Sequence, residues 1–208
     1  MSTVTRWWWI RHAPVTVNEG RIYGQTDLPC DTQDSDAFAY LAGLMPQDPV
    51  LLTSTLQRTT QTAAAIAAAG AELPDPIQEP AFMEQSFGEW QGLTYDELGG
   101  MPGVGDRYWL APAFERAPGG ESFADLVARV VPAITRLTDR YLDRDIVAVT
   151  HGGTIRAAIG YATALDPEAC LRFSIANLSV TRLDCIDTDE GRSWRIGFVN
   201  LRPPSAKG

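Results

Sequence analysis

Two apolar runs in this chain end in the same way. Residues 7–10 lead directly into Arg11 and His12, and residues 146–149 lead, after one threonine, into His151. Short continuous apolar runs bounded by polar residues are typical of strands buried within a sheet. We therefore expect the two histidines of the chain at the carboxyl ends of strands, where open α/β sheets bind their ligands.

Periodic apolar positions elsewhere predict helices alternating with strands. Ser54 or Thr55 is expected to cap the second helix, and Glu121 or Ser122 the long amphipathic third helix. The predicted helices cover residues 37–45, 54–69, 121–140 and 153–163, and further strands cover residues 50–53, 178–186 and 194–200. This alternation indicates the α/β class, with a mixed, mainly parallel sheet between helices in a three-layer α/β/α sandwich.

Three polar or turn-rich segments interrupt the periodic pattern. Residues 13–36 are predicted to form a loop that leaves the first strand, and residues 71–93 are predicted to be irregular. Residues 99–120 are rich in glycine, proline and aromatic side chains. Loops of that length inside a domain are usually functional, so we expect a lid over the ligand site.

The composition indicates one globular domain spanning residues 1–208, with 45% hydrophobic and 21% charged residues. The net charge of -9 argues against nucleic acid or an anionic membrane as a partner, although a locally positive cleft could still bind a small anion. No apolar run approaches the length of a membrane span. The oligomeric state stays open.

Cysteine and lysine usage narrows the chemistry. Cys30, Cys170 and Cys185 are odd in number and lack a CxxC spacing, which favours a reduced, cytoplasmic setting over a disulfide framework. Two distant histidines also lack the spacing of a zinc site. The single lysine, Lys207, lies in the tail, which excludes a P-loop lysine or an internal Schiff base.

Candidate chemistry begins with His12. A neutral imidazole at a strand end can attack an electrophile, and the adjacent Arg11 offers planar, bidentate donors to a phosphate or carboxylate. A lone histidine is more often structural or solvated, so position alone favours function only modestly. His151 strengthens the case because Gly152 and Gly153 allow close backbone approach and a helix N-terminus follows.

Arg58 and Glu84 complete the candidate set. Arg58 lies in the first turn of a predicted helix, where the helix dipole disfavours a cation, so either an anion compensates or the cost is tolerated. Its alternative role is that of a solvated helix arginine. Glu84, between Met83 and Phe87, is a candidate general acid, with other glutamates nearby as rivals, namely Glu79, Glu89 and Glu97.

Five motifs, in this order, resemble those of the histidine phosphatase family, the phosphoglycerate mutase-like superfamily. The match runs from residue 6 to about residue 160. The motifs are Arg11-His12, Ser54-x-Leu56-x-Arg58, Glu84-x-x-Phe87-Gly88-Glu89-Trp90-x-Gly92, Pro118-Gly119-Gly120-Glu121-Ser122 and Thr150-His151-Gly152.

The resemblance implies a phosphoglycerate mutase-like fold and a role for each core residue. His12 would be the nucleophile that becomes phosphohistidine. Arg11, Arg58 and His151 would hold the phosphoryl oxygens, and Glu84 would protonate the leaving oxygen and then activate water. Phosphoryl transfer needs such positioning and charge neutralisation, here with no metal and no cofactor.

The same resemblance places substrate contacts at Asn18, at the backbone of Gly24 and at Gly152. Ala13 and Val15 depart from the family pattern, which leaves the fine phosphate contacts open. The expected substrate is a small phosphorylated metabolite, and the loop of residues 20–29 is similar to that of α-ribazole phosphatases. Two alternatives remain, a cofactor-dependent phosphoglycerate mutase and an inactive phosphate-binding or interaction module.

Overall fold

The structure, a computed structural model, describes residues 2–101 and 112–204. Its strands are β1 (Thr3–Arg11), β2 (Val50–Thr53), β3 (Ile77–Gln78), β4 (Asp145–Thr150), β5 (Val180–Thr188) and β6 (Gly191–Leu201). Its α-helices are α1 (Ser35–Leu44), α2 (Gln57–Ala68), α3 (Tyr95–Gly99), α4 (Phe123–Arg140), α5 (Gly152–Thr163) and α6 (Pro167–Cys170).

The described strands form one sheet in the order β3-β2-β4-β1-β5-β6. The first four of these run parallel to one another, whereas β5 is antiparallel to β1 and β6 is antiparallel to β5. The mixed, mainly parallel sheet predicted from the sequence is confirmed. That residues 1–208 form a single domain remains a prediction.

Each face of the sheet buries a different set of helices. On one face, Ile10 and Val149 of the sheet pack with Phe38 of α1 and Ile66 of α2. On the other face, the alternate sheet residues pack with α4 and α5, in a cluster that includes Leu126. Because side chains alternate between the faces of a strand, the same strands contribute side chains to the contacts with both helix layers. The predicted α/β/α sandwich is confirmed.

The aromatic run in β1 is not buried on both sides, contrary to the expectation of a fully buried strand. Trp7 and Trp9 are fully buried and stack with ring centroids 4.7 Å apart, and both contact Phe82 edge-on. Trp8 points to the other face and is only half-buried, with Nε1 donating to Asp145 at 2.8 Å. The alternation of a strand overrides the uniform hydrophobicity of the run.

The chain connections open a crevice between β1 and β4. The connection after β1 contributes α1 to one face of the sheet, whereas β4 is followed by α5 on the opposite face. Neighbouring parallel strands whose connections leave in opposite directions define a topological switch point, where ligands bind at the carboxyl ends. The fold therefore places the candidate site at the ends of these two strands.

Some element boundaries differ from the sequence prediction. Neither Ser54 nor Thr55 caps α2, which begins at Gln57 after Leu56 and has no side-chain cap. The Ser54 hydroxyl instead bonds His151 and the amide of Leu56. In the segment predicted to be irregular, the chain forms β3 and two short 3-10 turns, and α3 follows it with a capping box begun by Thr94.

The predicted lid, residues 99–120, lies partly outside the described residues, because 102–111 are not among them. Within its described part, Ala113 and Ala117 are fully buried and the Arg116 guanidinium pairs with Asp125 at 2.7 Å. A lid function for this segment remains a prediction. Among the described residues, no helix combines the length and hydropathy needed to span a membrane.

Candidate active site

Strand register brings the two histidines together. Arg11 and Thr150 are paired across β1 and β4, so the residues that follow them, His12 and His151, leave the sheet side by side. Their ring centroids are 5.2 Å apart, with the planes at 60°. The amide of His12 donates to the carbonyl of Thr150 at 2.9 Å, which fixes this turn relative to β4.

The surroundings of His12 determine which of its ring nitrogens is free. Nδ1 lies 2.7 Å from the carbonyl oxygen of Ala13, and because a carbonyl only accepts, Nδ1 must carry the proton. In the neutral ring, Nε2 then holds an unshared electron pair. Asn177 donates to the carbonyl of His12 at 2.7 Å and further immobilises the residue.

Both histidines are held in the neutral form. Burial lowers the pKa of His12 well below its ordinary value, and the positive charges of Arg58 and Arg11 lower it further. Burial likewise lowers the pKa of His151 well below the usual range, with His12 and Arg58 adding to the effect. An unprotonated imidazole is the form required of a nucleophile or of a hydrogen-bond acceptor.

His151 is bonded at both ring nitrogens. Nε2 lies 2.8 Å from the Ser54 hydroxyl, and Nδ1 accepts from Nε of Arg58 at 3.3 Å. These partners assign the proton to Nε2, which donates to Ser54. The backbone of His151 caps α5, so the ring is held where the free amides of the helix N-terminus begin.

Arg58 is buried, so its alternative role as a solvated helix arginine is wrong. The side chain is fully inaccessible to solvent and its Nη2 donates to the carbonyl of Gly24 at 2.6 Å. Nη1 donates to Thr26 at 2.9 Å, and the guanidinium lies 5.1 Å from the ring centroid of Tyr23. Among the described residues, only neutral acceptors and no carboxylate bond the Arg58 guanidinium, which leaves its positive charge available to an anion.

Arg11 reaches the same space from β1. Nη1 donates to the carbonyl of Ile175 at 2.6 Å, which anchors the guanidinium. Nε is buried and has no hydrogen-bond partner within the described residues. A buried donor left without a partner is costly, so an oxygen of a bound ligand would satisfy it.

Glu84 lies beside the N-terminus of α5. It is half-buried, and its Oε1 accepts from the amides of Gly153 at 3.2 Å and Gln85 at 3.0 Å. A side chain at position 153 would collide with Oε1 of Glu84 and with Leu126, which explains the glycine there. The three sequence rivals of Glu84 do not line this cleft.

A pair of charged residues holds the backbone around Glu84. Arg129 of α4 donates to the carbonyls of Ala81, Met83 and Glu84 at 2.7 to 2.9 Å. The same guanidinium pairs with Glu121 at 2.8 Å, and Glu121 accepts from the amide of Ser86 at 3.0 Å. The position of the Glu84 segment therefore depends on α4.

Arg11 and Glu84 border a cleft of about 570 Å³, whereas His12, His151 and Arg58 are buried and are not among the residues that line it. The predicted contact residues Asn18, Gly24 and Gly152 all line it. The Asn18 side chain is engaged with the carbonyl of Arg21 at 2.8 Å, and Gly24 has a φ of +44°, with Gln91 and Phe87 too close for a side chain. All eight sequence-predicted site residues thus lie at or beside one crevice, and their catalytic and binding roles remain predictions.

Sequence reasoning missed three contributors to this site. Ser54 orients His151, Tyr23 lies against Arg58, and Arg156 of α5 lines the cleft. Burial raises the pKa of Tyr23 above its ordinary value, although Arg11 and Arg58 oppose this. The spacing from Gly152 to Arg156 is one helical turn, i to i+4, and this signal could have found Arg156.

Residues 7–200 match the family model of the histidine phosphatase superfamily (branch 1). The chain belongs to this family. Among the residues that the structure describes, no group of three or more histidine, cysteine, aspartate or glutamate side chains is placed to hold a metal ion.

Curated relatives carry several activities. The bifunctional protein Rv2228c of Mycobacterium tuberculosis is 30% identical over 86% of this chain and 50% of its own length, so the chain spans half of the first relatives it matches. A glucosyl-3-phosphoglycerate phosphatase of Mycolicibacterium vanbaalenii is 30% identical over 71% of the chain and 69% of that protein. A 2,3-bisphosphoglycerate-dependent phosphoglycerate mutase of Cytophaga hutchinsonii is 30% identical over 61% of each.

Solved structures share the fold. The structure named mycobacterial hydrolase 2 superposes with a TM-score of 0.83 at 26% identity, covering 99% of this chain and 94% of that one. An Escherichia coli K-12 protein assigned as an α-ribazole-5'-P phosphatase has a TM-score of 0.77 at 21% identity, over 97% and 99% of the two chains. This second likeness establishes the fold alone.

Proposed function

We propose that this protein is a metal-independent phosphomonoesterase that works through a phosphohistidine on His12. The observation that supports this most strongly is the state of that imidazole. Its Nδ1 is committed to the Ala13 carbonyl and its pKa is lowered by burial, so Nε2 offers an electron pair beside two guanidinium groups. A nucleophile that faces fixed positive charge suits attack on an anionic phosphoryl group.

The reaction divides into two displacements. In the first, Nε2 of His12 attacks phosphorus, the bond from phosphorus to the ester oxygen breaks, and Glu84 gives its proton to the departing oxygen. In the second, Glu84 accepts a proton from water as the water oxygen attacks phosphorus and the phosphorus–nitrogen bond breaks. Inorganic phosphate leaves, Nε2 recovers its electron pair, and Glu84 is again protonated.

The remaining charged groups stabilise the transferred phosphoryl oxygens. Arg11 has the buried Nε without a partner in the described residues, and the Arg58 guanidinium is held by two carbonyls and by the His151 ring, all neutral acceptors. His151 and the first amides of α5 lie at the same crevice. Positive charge from the two guanidinium groups would do what a metal ion does in other phosphoryl transfers, so we expect full activity in a chelator.

The substrate is a small phosphomonoester, and α-ribazole 5'-phosphate remains one prediction for it.

We also expect a reducing, cytoplasmic location, an expectation supported by three cysteines that form no disulfide. An inactive module is disfavoured because the chain has both His12 and Glu84, the residues to which the proposed reaction gives the roles of nucleophile and general acid. A phosphoglycerate mutase would use the same residues, and a mutase is among the relatives, so activity must decide.

Two measurements test the proposal. The purified protein should release inorganic phosphate from phosphomonoesters in the presence of a chelator, with no interconversion of 2- and 3-phosphoglycerate when 2,3-bisphosphoglycerate is supplied. Enzyme quenched in alkali during turnover should carry acid-labile phosphate on His12, located by mass spectrometry. His12→Ala should lose turnover by roughly 10⁴-fold or more, as nucleophile removal does elsewhere. Wild-type turnover in this variant would end the phosphohistidine proposal, and faster interconversion than phosphate release would favour the mutase.

A further inference from the structure

One cation in the cleft has no part in the proposed chemistry. Arg156 lies in the second turn of α5, half-buried, and lines the cleft. Its Nε donates to the carbonyl of Phe173 at 2.8 Å, which fixes the plane of the guanidinium. No described residue bonds its two terminal nitrogens, so two parallel donors are fixed in direction and free to bind a ligand.

The Arg156 guanidinium is close to the reaction centre and separate from it. The space above Gly152, where a Cβ atom would lie, is 3.5 Å from Nη1 of Arg156 and 3.6 Å from Nε of Arg11. The two arginines therefore border one space from different sides. Burial lowers the pKa of Arg156, and the negative charge of Glu84 opposes that cost.

Arg21, the other arginine on the outer part of the cleft, is already engaged. Its Nη1 donates to the carbonyl of Gly92 at 2.8 Å and pairs with Glu97 at 3.3 Å. Apolar side chains, Phe87, Phe123 and Leu171 among them, line the cleft as well. A ligand in this space would meet the terminal nitrogens of Arg156 beside these apolar side chains, and partial exclusion of water strengthens charge-assisted hydrogen bonds.

We propose that Arg156 determines specificity by binding an anionic group, of which a carboxylate is the simplest, on the organic part of the substrate. The inference rests on the proposed function, which supplies the phosphoryl site next to it. It assigns the substrate to phosphomonoesters of hydroxy acids and disfavours those of neutral alcohols, α-ribazole 5'-phosphate among them. The planar fork of arginine matches the two oxygens of a carboxylate, which a lysine ammonium could not match.

A matched pair of compounds tests the inference. 3-Phosphoglycerate and glycerol 3-phosphate differ by a carboxylate in place of a hydroxymethyl group, and p-nitrophenyl phosphate serves as a third reference that has no carboxylate on its organic part. For the wild type, we expect kcat/KM for 3-phosphoglycerate to exceed that for glycerol 3-phosphate by roughly 10- to 100-fold, the range of a charge-assisted bidentate contact. Equal values for the two compounds would overturn the inference.

Substitution then assigns the preference to the residue. Arg156→Gln should remove the preference, mainly through KM, and should leave p-nitrophenyl phosphate turnover within about threefold, which also shows that the variant folds. Arg156→Lys should restore only part of it. Arg116→Gln is the control, because Arg116 is committed to Asp125 and contributes nothing to the described cleft. An equal loss on all three substrates would mean that Arg156 binds the transferred phosphoryl group, and the inference would be wrong.

Calorimetric binding separates failure of the inference from failure of the proposed function. If the protein releases phosphate from none of the compounds yet binds 3-phosphoglycerate more tightly than glycerol 3-phosphate in an Arg156-dependent way, the anion site stands and the hydrolase proposal fails. If it hydrolyses both compounds alike and binds them alike, the hydrolase proposal is untouched and the anion site is refuted.

Discussion

The inner part of the candidate site, formed by the buried side chains of His12, His151 and Arg58, differs from its outer part, which lines the cleft, in how the side chains are held. The inner three are at most 1% exposed, and each is bonded to backbone carbonyls or to another member of the cluster. On the outer side, Glu84 and Arg156 are half-buried and Tyr95 is 64% exposed. The inner geometry is set before a ligand arrives. On the outer side, no described residue bonds the terminal nitrogens of Arg156, which are open to a ligand.

The supporting elements explain this difference. Both histidines directly follow adjacent strands, and Arg58 lies at the start of a helix packed on the same sheet, so the central core fixes all three. Glu84 belongs to an irregular segment fastened to α4 by Arg129. Preorganised charge at the inner site suits a phosphoryl group that every substrate shares, and a looser outer surface suits the part that varies between substrates.

After loss of the nucleophile itself, the largest effect is expected from Glu84→Gln, which removes the proposed proton donor and keeps the shape of the side chain. On substrates with alkoxide leaving groups we expect a loss of roughly 10²- to 10⁴-fold, because such oxygens need protonation. On p-nitrophenyl phosphate, whose phenolate leaves unaided, the loss should be far smaller. Glu89→Gln is the matched control, since Glu89 is exposed. Equal losses on both substrate types would break the assignment of Glu84 to leaving-group protonation.

Arg58→Lys tests the preorganised inner cluster. An ammonium cannot reach Gly24, Thr26 and His151 together, as the guanidinium does. We expect turnover to fall by roughly 10²-fold or more on all substrates alike, the cost of one lost transition-state donor. Arg136→Lys is the control, because Arg136 is exposed and pairs with Glu79, and its turnover should be nearly unchanged. A near-normal rate for Arg58→Lys would show that the cluster does not depend on this fork.

Arg129→Gln tests whether the outer acid needs its support from α4. We expect a loss of about tenfold, below the roughly 10²-fold that a 1 Å misplacement can cost, because other contacts of the segment remain. The loss should follow the pattern of Glu84→Gln, with substrates of poor leaving groups affected and p-nitrophenyl phosphate spared. Arg129→Lys should recover part of it. A uniform loss across substrates would indicate general destabilisation in place of a positioning role.

The smallest effect concerns stability against acid. Because the folded-state pKa of both histidines is lowered, the unfolded chain binds protons first as the pH falls below about 6.5. The free energy of unfolding should then fall, by up to about 1.4 kcal/mol per pH unit for each histidine until its folded pKa is reached. Above pH 7 this contribution should be constant.

Denaturant titrations at pH 7.5 and 5.5 would measure this slope. In the double variant His12→Asn with His151→Asn, the free energy of unfolding should change less between these two pH values, whatever its absolute size. An unchanged slope in that variant would assign the acid sensitivity to other groups and would mean that the two imidazoles are not buried in neutral form.

Short stretches of sequence were sufficient to predict the strands and motifs of this protein that depend on residues close together along the chain. The apolar runs before His12 and His151 predicted strands, and parallel strands of one sheet must present their carboxyl ends at one edge. The motif order also identified Arg58 and Glu84. The alternation of Trp7, Trp8 and Trp9 between faces follows from strand geometry, and a stricter use of that period would have predicted the half-buried Trp8.

Tertiary structure alone decided the contacts that join distant segments. Ser54 and His151 are 97 residues apart in sequence, yet their hydrogen bond explains why Ser54 does not cap α2. The clamp of Arg129 and Glu121 on the Glu84 backbone likewise depends on how α4 packs. Residue periodicity reports which face of an element is apolar, and only the packing of one element on another fixes which polar groups meet. For that reason the sequence could name His12 as a candidate nucleophile, whereas only the fold showed that no described residue bonds the terminal nitrogens of Arg156.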